Sequence, residues 1–211
     1  MDTATTYLGL RLPHPFMVGA SPMAAHLDAV RRLEDAGCAA LVMHSLFEEQ
    51  ITATSSGTIR HMDPLDEQFA QLLASYPALS DYRLAPGDYL EHLRQVKAAV
   101  RMPVIASLNG TSAEQWLEYA RLLEDAGADA LEVNMYEVET DLSVPGVAIE
   151  TLLRDLVREL KRVLRIPVAV KLSPFYSAFG NMARQLDEAG ADGLVIFNRF
   201  YQPDIDIQHL T

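Results

Sequence analysis

Three stretches of the chain nearly repeat one another: Arg32-Leu-Glu-Asp-Ala-Gly-Cys-Ala-Ala-Leu-Val-Met, Leu122-Leu-Glu-Asp-Ala-Gly-Ala-Asp-Ala-Leu-Glu-Val and Gln185-Leu-Asp-Glu-Ala-Gly-Ala-Asp-Gly-Leu-Val-Ile. Each reads as the last turn of a helix, a glycine at its C-terminal cap, a short loop and a buried strand. A second repeat interleaves with the first: Arg101-Met-Pro-Val-Ile-Ala-Ser-Leu and Arg165-Ile-Pro-Val-Ala-Val-Lys-Leu. There the proline stops a helix and opens a strand, where its missing N–H matters least. A chain built this way alternates helices with strands that are apolar on both faces, which means a parallel sheet covered by helices.

Reading along the chain predicts strands at about 16–19, 40–45, 104–108, 130–134, 168–171 and 194–197. Helices are expected at about 27–36, 88–100, 112–126 with Ser112 as N-cap, 149–164 and 179–189. The fold class is α/β, an incomplete (β/α) barrel of about six βα units, with an open parallel sheet as the alternative. A closed barrel takes eight units and usually about 250 residues, so counting alone leaves both forms open. The polar residues favour the barrel, because they follow several different strands. No linker or low-complexity stretch divides the chain, and residues 1–211 read as one partial barrel domain.

A formal net charge of −12 with no basic run argues against nucleic acid and anionic membrane as partners. The longest apolar run, Cys38 to Met43, is far too short to span a bilayer. The first residues lack the basic and apolar segments of a signal peptide, and the lone Cys38 suits a reducing compartment. A cytoplasmic location is expected. No phosphate-loop, dinucleotide fingerprint or zinc-ligand spacing is present.

In parallel α/β folds, chemistry gathers at the carboxyl ends of the strands. Ala20 and Ser21 follow the first predicted strand, and His44 and Ser45 close the second. Asn109 follows the third, Asn134 ends the fourth, Lys171 the fifth and Asn198 the sixth. Lys171 is the sharpest signal, because an ammonium closing the run Ile-Pro-Val-Ala-Val is costly unless an anion or polar ligand meets it. It could form a Schiff base or place positive charge beside a cofactor. The amides of Asn134 and Asn198 suit a planar ring carrying carbonyl and N–H groups. His44 reads either as a ligand contact or as a core histidine. Cys38 reads as a small filler, and Glu34, Glu124 and Asp187 as solvated helix ends. The long segments 46–86 and 135–148 leave the same face. In the first, Leu65-Asp-Glu-Gln-Phe-Ala-Gln-Leu-Leu has the pattern of an amphipathic helix suited to a lid or to a homodimer contact.

These residues, in this order, resemble the FMN-dependent dihydroorotate dehydrogenases over nearly the whole chain. Leu10-Arg-Leu-Pro-His-Pro-Phe-Met-Val-Gly-Ala-Ser resembles the family's first strand, Leu131-Glu-Val-Asn its fourth, Val168-Ala-Val-Lys-Leu-Ser-Pro-Phe its fifth and Val195-Ile-Phe-Asn its sixth. The resemblance implies a barrel that binds FMN and oxidises dihydroorotate or a similar small dihydropyrimidine in pyrimidine biosynthesis. Lys171 would lie beside the flavin with Ala20, Ser21, His44, Ser45 and Asn109, and Asn134 and Asn198 would hold the substrate ring. Two positions depart from the family pattern. Its Lys-Ser pair after the second strand is His44-Ser45 here, and its catalytic Cys or Ser, three residues after Asn134, is Glu137. Leu142-Ser-Val-Pro-Gly echoes the missing motif after an insertion, so Glu137 and Ser143 are the candidate bases. The departures imply a dehydrogenase-like branch. The family's seventh and eighth strands, whose loops grip the flavin phosphate, would lie beyond Thr211, so a fragment or truncated product is expected. Two other readings differ in class: a non-catalytic flavin-binding relic, and a lysine-dependent aldolase or lyase with Lys171 as Schiff-base former.

Overall fold

The computed structural model describes residues 2–47, 86–109, 113–135 and 141–198. The chain opens with an antiparallel hairpin, β1 (Thr5–Tyr7) and β2 (Leu10–Leu12), that the sequence pattern did not suggest. Leu8 and Gly9 form its turn with φ of 53° and 71°, the left-handed pair that a two-residue hairpin loop requires. A 3-10 turn at Pro22–Ala25 then leads into α1 (Leu27–Asp35).

The remaining elements alternate. They are β3 (Leu41–Phe47), α2 (Pro86–Ala99), β4 (Val104–Asn109), α3 (Ala113–Asp125), β5 (Ala130–Asn134), α4 (Gly146–Val163), β6 (Val168–Leu172), α5 (Phe179–Ala189) and β7 (Gly193–Ile196). Helix α4 begins earlier than the apolar pattern indicates, directly after Pro145. The expected N-cap Ser112 and the helix-like stretch 65–73 lie outside the described residues.

Strands β3 to β7 pair in chain order, all parallel. Residues 16–19, expected as a strand, run beside β3 through a single parallel bridge between Val18 and Leu41. Val18 N–H donates to the Ala40 carbonyl at 3.0 Å, and Val42 N–H to the Val18 carbonyl at 2.8 Å. A doubly wound open sheet reverses its strand order at a switch point. Here the order never reverses, and each helix from α1 to α5 packs on the next. That arrangement is the wall of an incomplete (β/α) barrel and decides against the open sheet.

The strands are apolar on both faces because both faces are covered. Leu41, Met43, Val104, Leu131, Val168 and Val170 face the helices and join the main core with Leu93, Leu123, Leu160 and Leu186. Val42, Ile105, Ala130 and Ala169 point the other way, into the barrel, where Leu8 of the hairpin turn packs on them. The hairpin therefore closes the N-terminal end of the barrel interior. The small residues at the starts of β5, β6 and β7 make room for it.

The repeats acquire a structural meaning at this N-terminal end. Glu34 Oε1 accepts the N–H groups of Arg101 and Met102 at 2.6 and 2.8 Å. Glu124 Oε1 accepts those of Arg165 and Ile166 at 2.7 and 2.9 Å. Asp129 Oδ2 joins Lys97 Nζ at 2.5 Å to Val104 N–H at 2.7 Å, and Asp192 Oδ2 joins Lys161 Nζ and Val168 N–H at the same distances. These contacts correct the reading of Glu34 and Glu124 as merely solvated helix ends. The residues just before Pro103 and Pro167 have left the helix but not yet entered the ladder, so their N–H groups need side-chain acceptors. Asp187, in the third repeat, is exposed.

Candidate active site

Side chains alternate across a strand, so polar groups two residues beyond an inward-facing apolar residue also face inward. From Ile105 this places Ser107 and Asn109 on the inner face of β4. From Ala130 it places Glu132 and Asn134 on β5, and from Ala169 it places Lys171 on β6. The register pairs Asn109 with Asn134 and Asn134 with Lys171 at the carboxyl ends of three neighbouring strands. Ser45 joins them from β3, its hydroxyl 2.8 Å from that of Ser107.

His44 does not join them. The β3–β4 register shifts between Val42 and Ser45, which inserts an extra residue into β3. The His44 ring is thereby carried to the helix side, edge-on to Tyr89 with ring centroids 5.0 Å apart and 6.2 Å from His92. The Tyr89 hydroxyl donates to the His44 carbonyl at 2.8 Å. Burial, and secondarily the neighbouring His92, push the His44 pKa down to about 4.

The residue that the sequence reading missed is Glu132. Lys171 Nζ lies 3.4 Å from Glu132 Oε1, and the two side chains are 19% and 5% exposed. Burial raises the Glu132 pKa, while the charge and hydrogen bond of Lys171 oppose that rise. Glu132 also helps burial push the Tyr7 phenol up to about 12, so Tyr7 of the hairpin lies within electrostatic range of the carboxylate. The sequence held a signal: an acid between Leu131 and Val133, in a strand otherwise buried on both faces, has to be paired.

Two polar atoms among the described residues are buried without a partner and lie at strand ends, Asn134 Oδ1 and Ser21 Oγ. Ser21 immediately precedes the 3-10 turn, and Ala20 packs on the inner apolar cluster. Asn198 N–H donates to the Leu172 carbonyl at 2.8 Å, which holds the chain after β7 against the end of β6. Ser143 is exposed, in the loop before α4. Its N–H and hydroxyl donate to Asp141 Oδ1 at 2.8 and 2.7 Å and hold that carboxyl below its usual range. Glu137 lies outside the described residues. An inward ammonium, several amides and buried acceptors lacking donors match a flat ligand with carbonyl and N–H groups, so the residues present fit the isoalloxazine of a flavin.

Among the described residues, no helix is long and apolar enough to cross a membrane, and no His/Cys/Asp/Glu group could hold a metal ion. Solved structures share the fold. A phosphonopyruvate hydrolase bound to oxalate and magnesium superposes with a TM-score of 0.55 at 18% identity, covering 90% of this chain and 61% of that one. An IMP dehydrogenase/GMP reductase-like protein of Corynebacterium glutamicum gives a TM-score of 0.52 at 20% identity, covering 92% and 47%. The catalytic subunit of dihydroorotate dehydrogenase B (NAD(+)) from Thermoplasma volcanium is 28% identical over 98% of this chain and 65% of its own length. The PreA subunit of the Escherichia coli K12 NAD-dependent dihydropyrimidine dehydrogenase is 26% identical over 93% of this chain and 48% of its own. The chain thus spans about half to two thirds of the length of these relatives. The family model described as dihydroorotate dehydrogenase matches residues 85–210, more than half of the sequence. The chain belongs to the dihydroorotate dehydrogenase family.

Proposed function

We propose that this chain forms the flavin- and substrate-facing wall of an FMN-dependent oxidoreductase that oxidises a dihydropyrimidine such as dihydroorotate. The observation that carries this reading is the inner-face group in which Lys171, paired with buried Glu132, lies beside Asn134 and its unpartnered amide oxygen. Family membership supports it, as do relatives named for dihydroorotate and dihydropyrimidine.

FMN, when bound, supplies hydride acceptance. Lys171 provides the positive charge that favours an electron-rich ring beside it. Asn134 and Asn198 orient the substrate through paired carbonyl and N–H contacts, and Ala20, Ser21, Ser45 and Asn109 line the cofactor side. His44 supports this wall from behind, through Tyr89, and does not touch the ligand. The substrate proton goes to the Glu137 carboxylate, or to the Ser143 oxygen as the hydroxyl's own proton passes to Asp141 Oδ1, its acceptor. A non-catalytic flavin-binding role is the second reading, favoured by Glu137 standing where the family has its catalytic Cys or Ser. The protein is read as a cytoplasmic one acting on a small molecule, with a homodimer as its candidate assembly.

The test is anaerobic mixing of the FMN-loaded full-length protein with dihydroorotate and with dihydrouracil. Bleaching of the flavin band by either supports the oxidoreductase. Bound flavin that neither substrate reduces supports the non-catalytic role. Absence of flavin binding overturns both, and borohydride trapping of a carbonyl substrate on Lys171 would replace them with a lyase.

A further inference from the structure

Glu132 occupies a place that stability alone does not explain. It is 4% exposed, on a strand whose other members are fully apolar or lie at its end. Removing such a carboxylate from water is costly, and one ammonium at 3.4 Å offsets that only in part. Apolar groups of similar volume usually serve a core as well or better. The neighbours of Glu132 are also specific. Ser107 and Ala169 are its register partners on β4 and β6. Lys171 reaches it from two residues further along β6, and Tyr7 of the hairpin lies within electrostatic range. Among the described residues, Glu132 is the one acidic group within ion-pair distance of Lys171. A lysine has four rotatable side-chain bonds and an ammonium that prefers water. At a strand end with solvent in reach, it stays inside only where something holds it.

We propose that Glu132 is a positioning residue that anchors the Lys171 ammonium on the inner face of the barrel, at the level of Asn134, where it meets the flavin. This rests on the flavin reading above. Glu132 touches neither cofactor nor substrate; it acts through Lys171 alone.

The experiment is a double-mutant cycle of Glu132→Gln and Lys171→Met in the full-length protein, read in two ways. In the flavin-free protein, urea unfolding should show the two changes to be less than additive, because each removes the same ion pair. In the FMN-loaded protein, the midpoint potential of the flavin is measured. Lys171→Met should lower it. Glu132→Gln should lower it by most of that shift, and should have no further effect once Lys171 is Met. Glu132→Asp should fall between Glu132→Gln and the unmutated protein. Equal shifts from Glu132→Gln in both lysine backgrounds, or no shift beside an intact Lys171, overturn the positioning role and leave the flavin reading standing. Failure of Lys171→Met itself to move the potential removes Lys171 from the flavin site, and with it both the inference and the reading.

Discussion

Leu8, at the turn of the N-terminal hairpin, lies so close to Gly193 at the start of β7 that a Cβ on the glycine would sit 2.7 Å from Leu8 Cδ2. Residues from the two ends of the described chain thus share one contact inside the barrel. Gly193→Ala is expected to cost about 1–3 kcal/mol, the usual range for overpacking a fitted site. Leu8→Ala should cost about 2–5 kcal/mol by itself. The double variant should be clearly less unstable than the sum, because the smaller turn residue admits the new methyl group. Urea unfolding of the four proteins checks this, and strict additivity would show that hairpin and strand do not press on each other.

The acceptors at the strand starts should carry measurable stability. Glu124→Ala strips two N–H groups of a charged partner, and hydrogen bonds to charged groups contribute roughly 1.5–3 kcal/mol each at most. Arg165 is exposed and water will take over part of its bond, so a total loss of about 1–3 kcal/mol is expected. Asp125→Ala, the exposed neighbour, should stay within about 0.5 kcal/mol. Similar midpoints for the two variants would return Glu124 to the status of a solvated helix end.

His44 sets an acid-side dependence of stability. Its folded pKa is lowered to about 4, while an unfolded histidine titrates near 6.5. Between those values the unfolded chain binds the proton and the folded one does not. The contribution of His44 is therefore complete above about pH 6.5 and is lost as the pH falls towards 4, by at most about 1.4 kcal/mol per pH unit. Tyr89 stays neutral throughout this window, and His92 sits in the same contact. In His44→Asn, the fall in unfolding free energy from pH 7 to pH 5 should be visibly shallower than in the unmutated protein. Parallel profiles would show that carboxylates or His92 account for the slope.

Much of the barrel is legible in the sequence, because its signals are local. Each Glu/Asp-Ala-Gly repeat ends a helix on a left-handed glycine, with φ of 89°, 97° and 102° at Gly37, Gly127 and Gly190. Each Arg-x-Pro restarts a strand. The hairpin was hidden because Thr5–Tyr7 and Leu10–Leu12 are only three residues long and their turn is Leu-Gly, not a residue pair that announces itself. Glu132 was hidden because its meaning lies in a pairing with Lys171, which only the register of β5 against β6 brings into range. His44 was open to two readings for the opposite reason. Its spacing from Val42 would point it to the inner face, but a one-residue bulge turns its ring to the helices, against Tyr89 and His92, which fits the core reading.

Asn134 should separate stability from function. Its amide oxygen is buried with no partner among the described residues, a cost carried by the folded chain. Asn134→Ala is expected to change unfolding free energy by less than about 1 kcal/mol. The same variant should bind the dihydropyrimidine at least tenfold more weakly, the worth of roughly one good hydrogen bond to a buried group. Calorimetric titration alongside urea unfolding reads both. A large loss of stability with unchanged binding would make Asn134 a purely structural residue.

Strand pairing in strict chain order has a consequence for synthesis. Among the described strands, each from β4 to β7 finds its earlier neighbour already made when it leaves the ribosome. None of them must be held open to wait for a described strand inserted later between two others. The carboxylates follow the same direction, Glu34 waiting for Arg101 and Glu124 for Arg165. The wall can therefore assemble unit by unit from its N-terminal side, with little long-range search at any step. The hairpin is the exception. Leu8 packs on Val42, Ile105, Ala130 and Ala169 in turn and finally meets Gly193, so its burial is complete only when β7 is in place.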